Sequence, residues 1–218
     1  AGVALTDDLD AVLGPAHVAI DFSSPTTTLR VAAACAERSQ NGQPTALLVG
    51  TTGFTPEERA QLDAFGDRIA LLVAPNMSLG VNLLFYLTGV AAKGLAGFEP
   101  EITEVHHHHK KDAPSGTAQR LKEVVLESLG RGESDGVYGR EGVGDPRPFN
   151  EVGVHALRGG DVVGEHTVFF FGDGERIELK HQATSRNTFA SGALAAAKFL
   201  AGQPAGRYSM NDVLQIGK

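Results

Sequence analysis

The sequence predicts an α/β chain of two domains, a helix-covered parallel sheet first and an α+β domain with a mostly antiparallel sheet second. Three observations predict it. Over the first third of the 218 residues, short apolar runs rich in β-branched side chains alternate with longer helical patterns, as in βαβ units. From about Asn150 on, strand-like runs follow one another across short turns, as in an antiparallel sheet. The apolar fraction, 42%, is that of a globular protein with a sizeable core.

The elements follow in order. His17–Ser23 reads as a buried strand, Thr26–Arg38 as a helix, Thr45–Gly50 as a strand, Thr55–Phe65 as a helix and Ile69–Ala74 as a third strand. Ligands of such a parallel sheet bind beyond the carboxyl ends of its strands. The small and polar stretches there, Asp21–Pro25, Gly50–Gly53 and Ala74–Ser78, are expected to line one crevice. After about Gly80 come a helix (Val81–Lys93), a strand (Glu101–His107), a helix (Thr117–Leu129) and a glycine-rich loop (Gly130–Gly144). Val152–Leu157, His166–Phe171 and Ile177–Ala183 read as strands with turns at Gly159–Asp161 and Gly172–Glu175. The last helix, Phe189–Ala201, is alanine-rich and resembles those of the first domain.

A formal charge of −7 argues against non-specific binding to nucleic acid or an anionic membrane, both of which need clustered positive charge. The expected partner is a small molecule. The one cysteine, Cys35, sits in a helical pattern, so no disulfide forms within the chain. No run approaches the ~20 apolar residues of a membrane span, and no secretory signal opens the sequence. A cytoplasmic location is therefore expected.

The run E-V-H-H-H-H-K-K-D-A-P-S-G-T-A, residues 104 to 118, concentrates four of the eight histidines. On a strand, His106 and His108 would face one way and His107 and His109 the other, so the four cannot close around one metal. No metal site is assigned. Taken singly, each histidine reads as a solvated side chain at a strand end. Two features argue for more. Pro114 suits a first helical turn and Ser115 or Thr117 can cap it. The helix that follows offers an apolar face in Ala118, Leu121, Val124, Val125 and Leu129. Its N-terminal amides, approached closely at Gly116, form an anion seat. A lysine there attracts a carboxylate by ~4 kcal/mol at about 4 Å under an effective dielectric near 20. Histidine and lysine also supply protons near neutrality. An anionic substrate that needs a proton is the chemistry expected.

The run resembles the signature of the dihydrodipicolinate reductase family, roughly E-x-H-H-x-x-K-x-D-A-P-S-G-T-A. Val18–Ser23, Val49–Phe54, Ala74–Asn82, Arg158–His166 and Ser185–Ala190 resemble further family blocks in family order, so that the likeness runs from about residue 2 to the C-terminus. The resemblance implies a Rossmann-like parallel-sheet nucleotide-binding domain over residues 1–77 and 187–218. Residues 78–186 would form the α+β substrate-binding and tetramerisation domain. It also implies reduction of a cyclic unsaturated imine dicarboxylate with NADPH or NADH, in a homotetramer without metal. By position His106 resembles the family's acid/base histidine and Lys110 its proton donor. His107 matches a substrate-contacting histidine, and Gly116 and Thr117 match the backbone that holds a substrate carboxylate. Gly50, Thr51, Thr52, Ala74, Pro75, Asn76 and Met77 occupy the segments lining the nicotinamide side of the cofactor cleft. The family's first strand and glycine-rich phosphate loop would precede Ala1, and no G-x-G-x-x-G stands near the start of this sequence. Two other readings stay open on the residues: a carboxylate-binding or assembly module without a working cofactor loop, and a metal-dependent hydrolase using the histidine run. A different imine or amino-acid dehydrogenase is a related alternative.

Overall fold

Prolines and capping side chains start the first helices. The computed structural model describes residues 5–217. Asp8 caps α1 (Leu9–Leu13), its side chain accepting from the Ala11 N–H. After β1 (Val18–Asp21) comes α2 (Pro25–Gln40), and after β2 (Ala46–Val49) comes α3 (Pro56–Ala64). Pro25 and Pro56 stand in the first turn, where a missing N–H costs nothing and φ is already suitable. Thr55 and Glu58 form a reciprocal capping box on α3. β3 (Ala70–Val73) completes this series.

The chain continues through α4 (Leu79–Gly94), β4 (Glu99–His106), α5 (Gly116–Leu129), β5 (Gly136–Tyr138), β6 (Val152–Arg158), β7 (Gly164–Gly172) and β8 (Glu175–Ala183). It ends with α6 (Asn187–Leu200), β9 (Gly206–Tyr208) and α7 (Met210–Leu214). Two units result, one from residues up to Ser78 with Phe189–Ile216, the other from Leu79–Thr188.

The first unit holds a four-stranded, all-parallel sheet in the order β1-β2-β3-β9. Every residue of β2 is buried, and Leu47, Val49 and Leu71 share a core with Ala32, Cys35 and Ala36 of α2 and Leu62 of α3. Each such buried leucine or valine stabilises the unit by about 1.5–3 kcal/mol. Burial pushes the Cys35 thiol up to about 11, so it serves as a small apolar side chain. β1 departs from the buried strand predicted for it. Among the described residues it stands at the end of the strand order, and Ile20 is 42% exposed.

The second unit holds a five-stranded sheet, β5-β6-β4-β7-β8. It is mixed, where the sequence reading expected mostly antiparallel pairing. β4 pairs antiparallel with β7, and β7 with β8, but β4 runs parallel to β6 and β6 to β5. The reason is α5, which carries the chain back across the sheet between β4 and β6 and so makes their connection a crossover. One face of the sheet packs against α4 and α5: Ile102, Val152, Val154, Val168 and Phe170 meet Leu84, Ala118, Leu121 and Val125. The predicted turn at Gly172–Glu175 joins β7 to β8, with Gly174 at φ +81°, a conformation that costs glycine nothing.

This topology gathers side chains at one edge. β4 and β6 end together, His106 registering with Arg158, while antiparallel β7 begins there, Glu104 registering with His166. Strand alternation then puts Glu104, His106, Arg158 and His166 on the helix-covered face, along with Ile102 and Val168.

Candidate active site

Glu104 is the centre of that edge. Its side chain is wholly buried, and its carboxylate accepts from three directions. His106 Nδ1 lies 2.6 Å from Oε2, while Oε1 accepts from the Arg158 guanidinium at 2.9 Å and from the Ser115 backbone N–H at 2.9 Å. Burial alone would raise the carboxyl. The hydrogen bonds from His106, Arg158 and Ser115 outweigh it and hold the group at about 2.

Ser115 is the N-cap of α5, its hydroxyl accepting from the Ala118 N–H at 3.2 Å. Gly116 and Thr117 therefore form the first turn, with backbone N–H groups at the positive end of a four-turn helix. Gly116 is exposed, and a Cβ built on it meets nothing within 4 Å. The cap is Ser115 alone. Pro114 precedes it, one step before the helical turn to which the sequence reading assigned it.

Four histidines in a row do not alternate as a strand would make them. β4 ends at His106, and the following residues turn. The His107 and His108 N–H groups donate to Val162 and Gly160 carbonyls, pinning the run to the segment after β6. The His108 and His109 rings lie 3.9 Å apart between centroids, tilted at 47° to each other, and both are exposed. Lys110 N–H donates to the His107 carbonyl, and its ammonium pairs with Asp112 at 2.8 Å. Arg186, in the loop after β8, reaches within 3.5 Å of His107 Nε2. Partial desolvation, followed by the charges of Arg186, His109, His106 and Lys110, holds His107 below the usual histidine range. His166 is buried and held down at about 4 by desolvation and then by His106, so it is neutral at pH 7. Its Nε2 lies 3.2 Å from the Ser115 hydroxyl.

One metal-capable grouping exists among the described residues: Glu104, His106 and His166 each bring a ligand atom within 4.8 Å of the others. Only one member belongs to the run. Two ligands on a zinc ion at about 2 Å lie roughly 3.3 Å apart, so the 2.6 Å between His106 and Glu104 is a hydrogen bond and leaves no room for an ion between them. Dialysis against a chelator is accordingly expected to leave turnover unchanged, measured as nicotinamide oxidation before and after.

His106, His107, Lys110, Gly116 and Thr117 all belong to the second unit. The other predicted residues belong to the first. Asp21, at the end of β1, accepts hydroxyl hydrogens from Ser23, Thr28 and Thr51, tying the loop after β1 to the loop after β2. Thr51, Thr52 and Pro75 line a cavity of about 250 Å³ with Gly53, Phe54, Arg59 and Val73, beyond the carboxyl ends of β2 and β3. A side chain at Gly50 would strike the Phe22 ring. Ala74 and Met77 are buried beneath this opening, and Asn76 accepts from the Ser78 N–H at 2.9 Å.

Residues 1–77 match the family model described as dihydrodipicolinate reductase, N-terminus, and residues 80–214 the one described as dihydrodipicolinate reductase, C-terminus. The chain belongs to the dihydrodipicolinate reductase family. A 4-hydroxy-tetrahydrodipicolinate reductase from an Anaeromyxobacter species is 53% identical over 217 residues, covering 99% of this chain and 79% of that protein. One from Myxococcus xanthus is 49% identical over 215 residues, covering 97% and 78%. A solved structure, a dipicolinate-bound dihydrodipicolinate reductase from a Paenisporosarcina species, superposes with a TM-score of 0.73. At 23% identity over 93% of this chain and 75% of that one, it supports the fold.

Sequence reasoning missed Glu104, Arg158, His166 and Arg186 as parts of this site. The first carried a signal: a carboxylate two residues before a histidine on one strand shares its face. Arg158, His166 and Arg186 stand inside two of the family-like blocks without an assigned role.

Proposed function

We propose that the chain reduces 4-hydroxy-tetrahydrodipicolinate to tetrahydrodipicolinate with NADPH or NADH, the reductive step toward diaminopimelate and lysine, and that it does so in the cytoplasm as a homotetramer without a metal. The observation that carries this is the joining of a proton carrier to an anion seat: one carboxylate, Glu104, holds both His106 and the N-cap of α5. Kinship to reductases over nearly the whole chain supports it independently.

The roles follow from chemistry. When bound, NADPH or NADH supplies the hydride. The Gly50–Thr52 and Ala74–Met77 segments would hold its nicotinamide end, and the cavity at Thr51, Thr52 and Pro75 suits a flat ring. Gly116 and Thr117 offer N–H groups to one substrate carboxylate, while Arg186 presents positive charge to the dianion and His107 takes up a proton beside it. Negative charge that develops toward the ring nitrogen is met by the ammonium of Lys110, which donates the proton that completes the reduction, with His106 as acid/base partner. The helix-free face of the second sheet carries Phe169 and Phe171, stacked at 5.6 Å, and half-exposed Leu157. Such a face supports assembly through this sheet. A non-catalytic carboxylate-binding module is not favoured by this combination.

The test is twofold. Nicotinamide oxidation by the full-length protein should require 4-hydroxy-tetrahydrodipicolinate; its absence with that substrate would remove the reading. Binding of pyridine-2,6-dicarboxylate should also weaken as pH rises from about 6 to 8. A dianion beside His107 raises that histidine's pKa, so binding takes up a proton, and calorimetry in buffers of different ionisation enthalpy should detect it. Affinity independent of pH over that range would take His107 out of the substrate site.

A further inference from the structure

We infer that Glu104 is a positioning residue that fixes the proton of His106 on Nδ1 and thereby turns Nε2 into the working atom of that imidazole. The inference rests on the proposed role of His106 and adds which nitrogen performs it and what sets the choice.

Three observations carry it. The first is an accounting of buried polar atoms. Glu104 Oε2 and His106 Nδ1 are both buried, and neither makes a well-aligned hydrogen bond to any group, although the two stand within reach of each other. Left unmatched, each would be destabilising. They stand 2.6 Å apart, a separation at which two acceptors repel, so a proton must lie between them. With the carboxyl held ionised by Arg158 and Ser115, the proton resides on the imidazole nitrogen.

The second is the surroundings of the other nitrogen. His106 Nε2 faces Gly164, the first residue of β7, and a Cβ there would come within 3.0 Å of it. Glycine leaves that nitrogen uncovered. The third is that Glu104 cannot swing away. Its second oxygen is held by the Arg158 guanidinium, itself bonded to the Asp112 carbonyl, and by the Ser115 N–H. The groups facing His106 are thus Glu104 on its own strand, Arg158 on β6, His166 on β7, and His107 and Lys110 on the following loop. Among these only Glu104 offers a carboxylate, so it alone can accept a ring N–H.

The test reads the tautomer directly, by ring-nitrogen NMR of histidine-labelled full-length protein, with His106 assigned from its loss in His106→Asn. In the wild type the neutral ring should carry its proton on Nδ1. In Glu104→Gln the side-chain amide donates to Nδ1, so the proton should move to Nε2. Turnover should fall at least tenfold in kcat with KM little changed. Should Glu104→Gln not fold, Gly164→Ala keeps Glu104 intact and is expected to cut kcat about tenfold by covering Nε2 while the Nδ1–H tautomer stays. A wild-type ring protonated on Nε2, or full activity in Gly164→Ala, overturns the inference. Full activity in His106→Asn instead overturns the catalytic role on which it builds, whatever the tautomer.

Discussion

Replacing Lys110 with methionine in the full-length protein is expected to lower kcat/KM by about 10²–10⁴-fold, the range for loss of a positioned proton donor. That corresponds to about 2.7–5.5 kcal/mol of transition-state stabilisation. Two functions are lost together in this variant. One is the ammonium charge, which attracts the dianionic substrate before reaction and opposes charge developing on its ring during it. The other is the transferable proton. Lys110→Arg separates them: the guanidinium keeps the charge but does not release a proton at neutral pH. The arginine variant should therefore recover much of the KM lost in the methionine variant while kcat stays low. The geometry gives the lysine a rest position, since its ammonium pairs with Asp112 at 2.8 Å on the same turn. Asp112 is more than half exposed, so the pair is weak enough for substrate to take over the ammonium. Undiminished kcat in Lys110→Met would end the assignment of Lys110 as donor, and a kcat restored in Lys110→Arg would leave it as a charge only.

What sequence reasoning could and could not see follows from the range of the interactions involved. The βαβ alternation was legible because it is local: β2 is an unbroken apolar run, and the proline and threonine signals that start α2 and α3 stand within a few residues of the helices they cap. The anion seat was legible for the same reason, Ser115, Gly116 and Thr117 being contiguous. The role of Glu104 is hidden in the sequence, because its partner Arg158 comes from a strand far along the chain, and the parallel pairing that aligns them depends on the α5 crossover. Ile20 was read as buried because its run is apolar, yet position in the strand order is a property of the sheet and not of the strand. Lys122 shows the same limit on a helix. Its charge suggests solvent, but it is fully buried, its ammonium held by Glu133 and by the Tyr138 hydroxyl. β5 lay inside a segment read as a glycine-rich loop, since three residues are too few to make a pattern.

Substituting Glu101 by glutamine is expected to destabilise the protein by about 2–3 kcal/mol at pH 7, less than the ~3–5 kcal/mol of a buried pair broken from one side, because Arg140 is 40% exposed. Glu101 lies on β4, on the face opposite Glu104. Arg140 reaches both of its oxygens, at 2.8 and 3.1 Å, Arg147 donates at 2.8 Å, and His155 approaches at 2.8 Å. One carboxylate thus ties the segment between β5 and β6 to the central strand. Gly153 is bare on that face because the carboxylate occupies the space above it: a Cβ there would fall 1.9 Å from Oε2. Burial acts to raise the Glu101 carboxyl, and the hydrogen bonds from Arg140, Arg147 and His155 overcome it and hold the group at about 2. The sign of the pH effect follows. A carboxyl depressed from 4.5 to about 2 contributes stability that is complete above the higher value and is lost as pH falls toward the lower one. Urea midpoints of wild type and Glu101→Gln should therefore differ most above about pH 5 and converge as the pH is lowered toward 2. Gly153→Ala, which displaces the carboxylate without removing its charge, should also be destabilised at neutral pH, and should lose less than wild type on acidification. A gap between wild type and Glu101→Gln that is the same at pH 3 and pH 7 would mean that packing, and not the charge on the carboxylate, accounts for the loss.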